Sequence, residues 1–343
     1  MSSTQYLIDA ATRHQIFLQR YGDGKSKEAV KMLNRLRREI NARLAQEPTN
    51  FQAQRLQDVL KDITILSQLR FQDIKALVEM EMLDLAQSEA KFSASMMTNT
   101  ATVDFVLPAQ VTLIAAIETT PMAVISGVAP TISESLTNLG TKKLAQIALA
   151  ITDGVTLGDT TQTISQKVNT LISTLMKRQV TSLVSTIINH VSSVARTETY
   201  KQNQKYIDKY EWVATLDGRT TFICMSRDGQ IYQIGQGPMP PAHFSCRSTT
   251  IPKIKKEFDL GLKVKTTRPS IGSDGPEQVD SNTTYGGWLR RQNREFIDEA
   301  LGIERSRLFR SGKLTLDKFV DPTGRVYTLN QLEDMNPLVF SDL

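Results

Sequence analysis

Cys224, His243 and Cys246 combine thiol and imidazole donors within one short span. Cys246 follows His243 by three residues, and Cys224 precedes the pair across a predicted strand, loop and strand that can bring all three together. Zinc favours such ligands in a four-coordinate shell. Only three good donors lie locally and no Cys-x-x-Cys knuckle is present, so Asp217, the distant His190 or a water would have to complete the shell. Two other readings stay open. One is a Cys224–Cys246 disulfide under oxidising conditions. The other is two buried thiols beside a hydrogen-bonded core histidine, the ordinary fate of such side chains.

The second constellation is charged: Glu198, Asp217, Arg219 and Arg247. Arginine's planar fork suits bidentate pairing with a carboxylate, so these residues predict an ion-pair cluster that clamps a helix end to a β hairpin. An active site is the alternative, but no supporting motif accompanies it. The chain has no Gly-x-x-x-x-Gly-Lys phosphate loop, no His-Glu-x-x-His and no Gly-x-Ser-x-Gly. Glu79-Met80-Glu81 has the paired-glutamate spacing of ADP-ribosyl transfer, yet it falls inside a long predicted helix rather than on a loop beside a β cleft. No catalytic residue and no organic cofactor is assigned, and the chain is read as non-enzymatic; zinc is the one cofactor in question.

These residues must be positioned by a mixed framework. Val180, Leu183, Val184, Ile187, Val191 and Val194 share one helical face, with Arg196-Thr197-Glu198 at its carboxyl end. Many of these residues are β-branched, so packing must hold the helix and its apolar face should be deeply buried. After Tyr210 the period changes to two. Trp212–Leu216, Gln230–Ile234 and Ser248–Ile251 read as short strands, with turns at Asp217-Gly218 and Asp228-Gly229.

Upstream, residues 3–97 read as helices. Gly22-Asp23-Gly24 is expected to break the chain, Leu33, Leu36, Ile40 and Leu44 follow at helical spacing, Pro48 ends that helix and Asn50 caps the next. Residues 98–140 lose almost all charge and show no clean period, which predicts an extended arm or a buried connection rather than a solvated linker. A short helix is expected over 141–152, then a turn and cap at Gly158-Asp159-Thr160 before another. Residues 257–284 read as loop, with Ser270–Pro276 exposed; Trp288–Ala300 reads as a final helix capped at Leu301-Gly302. The expected fold is α+β and mostly α-helical. Its parts are an N-terminal helical region (1–97), the arm (98–140), an α+β core (141–256), the loop (257–284) and a C-terminal helix and tail (285–343).

The 343 residues are enough for two ordinary domains, and 22% charged against 40% hydrophobic is a globular balance. Two cysteines exclude a disulfide framework and suit a reducing compartment. No secretory signal peptide is expected from the polar Met1–Tyr6, and Val103–Pro130, the most apolar window, is too interrupted to span a bilayer. A net charge of +5 permits nucleic-acid contact without demanding it. Lys25, Lys27, Lys31, Arg35, Arg37, Arg38 and Arg43 form a basic helix face, which is either a solvated surface or a phosphate-contacting one.

The run Ala195-Arg196-Thr197-Glu198, then Trp212 to Thr220, Cys224, Asp228-Gly229 and Pro240-Pro241-Ala242-His243-Phe244-Ser245-Cys246-Arg247-Ser248 resembles the phage Mu F-like head-morphogenesis (minor head or minor capsid) family. The resemblance covers about residues 140–252 and is most specific from 195 onward. Its matching positions are Arg196, Thr197, Glu198, Asp217, Arg219, Thr220, Cys224, Asp228, Gly229, Pro241, His243, Cys246 and Arg247. Thr221-Phe222-Ile223 stands where some family variants carry a second cysteine. Tyr285 to Phe309 also resembles the downstream region of related phage proteins.

The resemblance implies a virion protein of a tailed phage, acting in head assembly at or near the portal vertex in several copies. Its partners would be the portal protein and other capsid subunits, with double-stranded DNA as a further candidate at Lys27, Lys31, Arg35 and Arg38. It would reside in the virion, inside the capsid or at the portal vertex, and in host cytoplasm during assembly. Two alternatives accompany this reading. One is a DNA-ejection protein, for which membrane contact would matter. The other is a hydrolase or transferase acting at infection.

Overall fold

The computed structural model describes residues 3–48, 53–122 and 130–341. It is a mostly helical α+β structure. The first helix, α1 (Thr4–Leu44), buries Leu7, Ala11, Gln15, Leu18, Gly22, Ser26, Ala29, Leu33, Leu36, Ile40 and Leu44, a three- and four-residue spacing that keeps one stripe inward along its whole length. The expected break at Gly22-Asp23-Gly24 does not occur. Each glycine costs a helix interior about 1 kcal/mol, but packing overrides that cost. Gly22 faces another helix, where a β-carbon would make ordinary van der Waals contact, 3.5 Å from Ile188 Cδ1 and 3.8 Å from Ser185 Cα. The small side chains of Gly22, Ser26 and Ala29 let the two backbones approach.

α2 (Ala53–Thr98) is one unbroken helix, the first of the two arrangements, long helix or tight helical hairpin, that a stretch without proline or glycine allows. The cap expected of Asn50 falls outside the described residues. The described residues of 98–140 are extended only in part. Gln110–Thr119 forms α3, and α4 (Ile132–Thr156) begins well before the helix expected at 141. A capping box explains that early start: Glu134 N donates to Thr131 Oγ1 at 3.3 Å, and Thr131 N donates to Glu134 Oε2 at 2.8 Å. Gly158 turns the chain with a positive φ, and Thr160 caps α5 (Thr161–Thr170), as its sequence predicts. A π-helical turn, Leu171–Met176, then leads into α6 (Lys177–Gln202).

α6 is the axis of the bundle. It packs on α1, α2 and α3, and every residue from Thr186 to Arg196 is buried. That enclosure holds its β-branched residues helical. His190 lies on it, 1% exposed, with Nε2 donating to Thr120 O at 3.1 Å. Burial pushes its pKa down from 6.5 to about 4, and the Thr120 carbonyl offsets only part of that. A depressed histidine pKa favours the neutral form in the folded chain. Its contribution is therefore complete above pH 6.5 and lost as pH falls toward 4. We expect stability to drop by about 3 kcal/mol across that window, and urea titrations of His190→Leu to show a flatter profile than the native chain between pH 6.5 and 4.5. Identical pH slopes for the two proteins would contradict this.

The β portion consists of two small sheets. In the first, β1 (Ile207–Val213) lies between β3 (Ile231–Gln233) and β4 (Thr249–Ile254), all antiparallel. The second contains β2 (Leu216–Asp217), β5 (Thr267–Gly272) and β6 (Gly275–Asp280), with β2 parallel to β5. The hairpin β5–β6 replaces the loop expected over 257–284, and Ser270 is buried rather than exposed. β5 has little strand character of its own. Its pairing with β2 across more than fifty residues supplies what local propensity lacks.

Between β2 and β3 runs the short helix α7 (Phe222–Arg227). The single helix expected over 288–300 is two, α8 (Tyr285–Leu289) and α9 (Arg294–Leu301), because Asn293 caps a new start by accepting from Phe296 N at 2.9 Å. Gly302, at φ 77°, ends α9 as predicted. α10 (Ile303–Arg310), α11 (Leu329–Met335) and α12 (Pro337–Ser341) complete the chain. Trp212, Tyr285, Trp288, Phe309 and Phe319 form a second core beneath the β portion.

Candidate functional site

Asp217 ends β2, and Arg247 lies two residues before β4 of the other sheet. The guanidinium reaches the carboxylate with both terminal nitrogens: Nη2 donates to Oδ1 at 2.8 Å, and Nη1 donates to Oδ2. Asp217 Oδ1 also accepts from Arg219 N and Thr220 Oγ1, each at 3.1 Å. Burial pushes the Asp217 carboxyl up, but these donors more than offset it and hold the pKa below its ordinary value. A carboxylate so fully occupied is a poor proton shuttle and a good staple.

Two of the four expected cluster members stand differently. Arg219 keeps its side chain 79% exposed, with Nη2 only within 3.8 Å of Asp217 Oδ2. Glu198 is not in the cluster at all: its side chain, 13% exposed, pairs with Lys201 on its own helix at 2.6 Å. Helical phase is the reason. Arg196, two positions earlier on α6, lies on a different face.

Arg196 instead meets Glu89 of α2, a residue the sequence pattern did not single out. Glu89 Oε2 accepts from Ser192 Oγ at 2.6 Å and from Arg196 Nη2 at 3.4 Å, while Oε1 lies 2.5 Å from His14 Nε2 on α1. The His14 ring stacks on Phe92, with centroids 3.6 Å apart. Glu89 and Arg196 are 1% and 2% exposed. Burial pushes the Glu89 carboxyl up; the His14 hydrogen bond and the Arg196 charge outweigh that and hold it down. Three helices are thus joined through one buried charge network. Glu79 and Glu81, the paired glutamates, are helical as expected, and Glu81 is occupied by Tyr21 Oη at 2.6 Å and Lys25 Nζ at 2.8 Å.

A second buried pair ties the two sheets together. Asp228 Oδ1 accepts from Ala214 N and Oδ2 from Tyr285 N, both at 2.6 Å. Arg268 of β5 lies 3.4 Å from Asp228 Oδ1 and also donates to the Ala214 and Thr283 carbonyls. The resemblance marks Asp228, but nothing local marks Arg268, which sits in a stretch with the composition of a loop.

Cys224, on α7, meets His243 and Cys246 from the loop before β4. Cys224 Sγ is 3.3 Å from His243 Nε2 and 3.6 Å from Cys246 Sγ. Both cysteines are free thiols and buried. Among the described residues these three form the only group of such donors within ligand distance of one another. His190 and Asp217, the expected fourth ligands, lie elsewhere, committed to Thr120 and Arg247. Within the thiol pair, burial raises Cys246, but its neighbours Cys224 and His243 bring it well below the ordinary thiol range. The hydrogen bond to Cys246, then burial, pushes Cys224 up.

Two grooves flank this block. One, of about 240 Å³, separates α1 from the sheets and is bounded by Asp217, Arg219, Arg247 and Arg268. Its neighbour, of about 290 Å³, runs between α1 and α6 and shares Gln15, Gln19, Arg219 and Arg247. On the remote part of α1, Lys27, Lys31, Arg35 and Arg38 are all exposed and, at steps of four, four and three, form one stripe. Arg35 is partly committed to Glu39 at 2.9 Å. No described helix is long and apolar enough to cross a membrane.

Residues 145–251, from within α4 to within β4, match the family model described as Phage Mu protein F like protein. No curated protein and no solved structure matches the chain.

Proposed function

From a phage Mu F-like segment at the centre of the chain, we propose a structural protein of a tailed-phage head that acts in assembly at or near the portal vertex, in contact with the portal protein and other capsid subunits. One observation carries the structural rather than enzymatic reading. Three buried charges at the family positions are spent on internal partners: Asp217 on Arg247, Arg196 on Glu89, and Asp228 on the Ala214 and Tyr285 backbone. The two sulfurs are 1% and 3% exposed, which suits internal ties better than a nucleophile that must meet substrate.

Immunoblotting of purified particles tests this reading. Retention of the protein in mature heads, and malformed heads when its gene is deleted, are expected; normal, infectious heads without it would contradict the proposal. Ejection with the genome is the alternative, and liposome binding by the pure protein would favour it.

Packaged DNA is the candidate partner of the exposed Lys27, Lys31, Arg35 and Arg38 stripe. A phosphate-binding face predicts affinity that falls linearly in a log–log plot against salt, with a slope of about −0.9 for each phosphate neutralised. Replacing all four residues with alanine is expected to reduce that slope by roughly three to four. An unchanged slope would remove DNA as the partner of this face.

A further inference from the structure

We propose that Cys224, His243 and Cys246 bind one zinc ion, with solvent in the fourth position. Four-coordinate zinc, with Zn–S near ~2.3 Å and Zn–N near ~2.0 Å, requires sulfur–sulfur separations of about 3.8 Å and sulfur–nitrogen separations of about 3.5 Å. The observed 3.6 Å between the two sulfurs and 3.3 Å from Cys224 Sγ to His243 Nε2 are within a few tenths of those edges. The donor atoms of all three residues lie within 4.8 Å of one another.

The imidazole is oriented for the task. His243 Nδ1 donates to Phe244 O at 2.8 Å, which leaves the Nε2 lone pair facing the sulfurs. Fixing the far nitrogen in this way is how proteins hold a metal-ligating histidine in the correct tautomer. The backbone supports the same geometry, since Cys246 N donates to His243 O at 3.1 Å and closes the turn that presents both side chains.

A second, independent observation is the Thr221 hydroxyl. It is buried, lacks a hydrogen-bond partner, and sits one helical turn before Cys224 at the start of α7, where it makes no cap. A buried O–H without an acceptor is costly. A zinc-bound Cys224 thiolate would be that acceptor. His243 is only partly buried, so the open side of the triad faces outward, where water can complete the shell. Zinc displaces the remaining thiol protons to solvent on binding. The ion would tie α7 to the 243–248 segment, which has no other covalent or ionic link to that helix among the described residues.

The test uses the full chain, purified under reducing conditions and dialysed against micromolar zinc. Elemental analysis should give close to one zinc per chain, and cobalt substitution should give the intense visible bands of a tetrahedral thiolate site. His243→Ala is expected to weaken zinc binding by more than about 100-fold and Thr221→Val by about tenfold; Cys224→Ser should abolish it. If a cysteine variant fails to fold, the cobalt spectrum of the native chain still decides. Less than a tenth of an equivalent of zinc on folded protein with two titratable thiols overturns the proposal. So does a Cys224–Cys246 disulfide that persists under those conditions, or zinc binding that survives both His243→Ala and Cys224→Ser.

Discussion

Glu89→Ala is expected to destabilise the chain by about 3–5 kcal/mol, measured by urea unfolding at neutral pH. The substitution leaves Arg196 charged at 2% exposure, removes the acceptor of Ser192 Oγ and releases His14 from its 2.5 Å contact. Solvent does not screen this pair, so the low values typical of exposed ion pairs do not apply. Arg35→Ala at the exposed Arg35–Glu39 pair serves as the control and should cost less than about 1 kcal/mol. Because the Glu89 carboxyl is held below its ordinary 4.5, its contribution is complete above that value and is lost as pH falls through the lower, folded-state pKa. The native and Glu89→Ala proteins should therefore converge in stability under acid, below the window in which His190 titrates. A loss under 1 kcal/mol at neutral pH, or parallel pH profiles down to strong acid, would mean that the three helices are not joined through this carboxylate.

Asp228→Asn is expected to cost nearly as much as Asp228→Ala, about 3 kcal/mol or more. Each carboxylate oxygen accepts a backbone N–H, from Ala214 and from Tyr285, and Arg268 approaches the first oxygen from the other side. An asparagine offers one carbonyl oxygen, so its amide NH₂ must face a backbone donor wherever it is turned. Arg268, 3% exposed, then loses its counter-charge as well. Full stability of Asp228→Asn by thermal unfolding would show that geometry alone, not charge and acceptor count, fixes this junction.

How much of this was legible in the sequence follows from how local each signal is. The inward face of α6, β3 and β4, and the convergence of Cys224, His243 and Cys246 follow from period and spacing, whereas β1 (Ile207–Val213) shares only Trp212 and Val213 with the strand expected over Trp212–Leu216. Elements held by distant partners do not. β5 contains Pro269 and Gly272 and gains its strand form from β2 and β6. Gly22 and Gly24 read as a break because their cost is local, whereas the packing against Ile188 that outweighs it is not. Glu89 is one more acid in a long helix until His14, Ser192 and Arg196 converge on it from sequence distances of 75 to 107 residues. Glu198 misleads for the converse reason: its motif adjoins Arg196, but helical phase places it on a different face, where it pairs with Lys201. The early start of α4 was legible after all, in Thr131-x-x-Glu134, within a stretch whose composition suggested no helix.

The proposed role is that of a structural body in the phage head. An asymmetric reconstruction of the intact particle tests that role most directly. The expected result is density for the α1–α2–α6 bundle inside the head at the portal vertex, with the Asp217–Arg247 and Glu89–Arg196 pairs enclosed. A map with no such density at that vertex, or with the grooves beside Arg219 and Arg247 occupied by a small substrate, would contradict it.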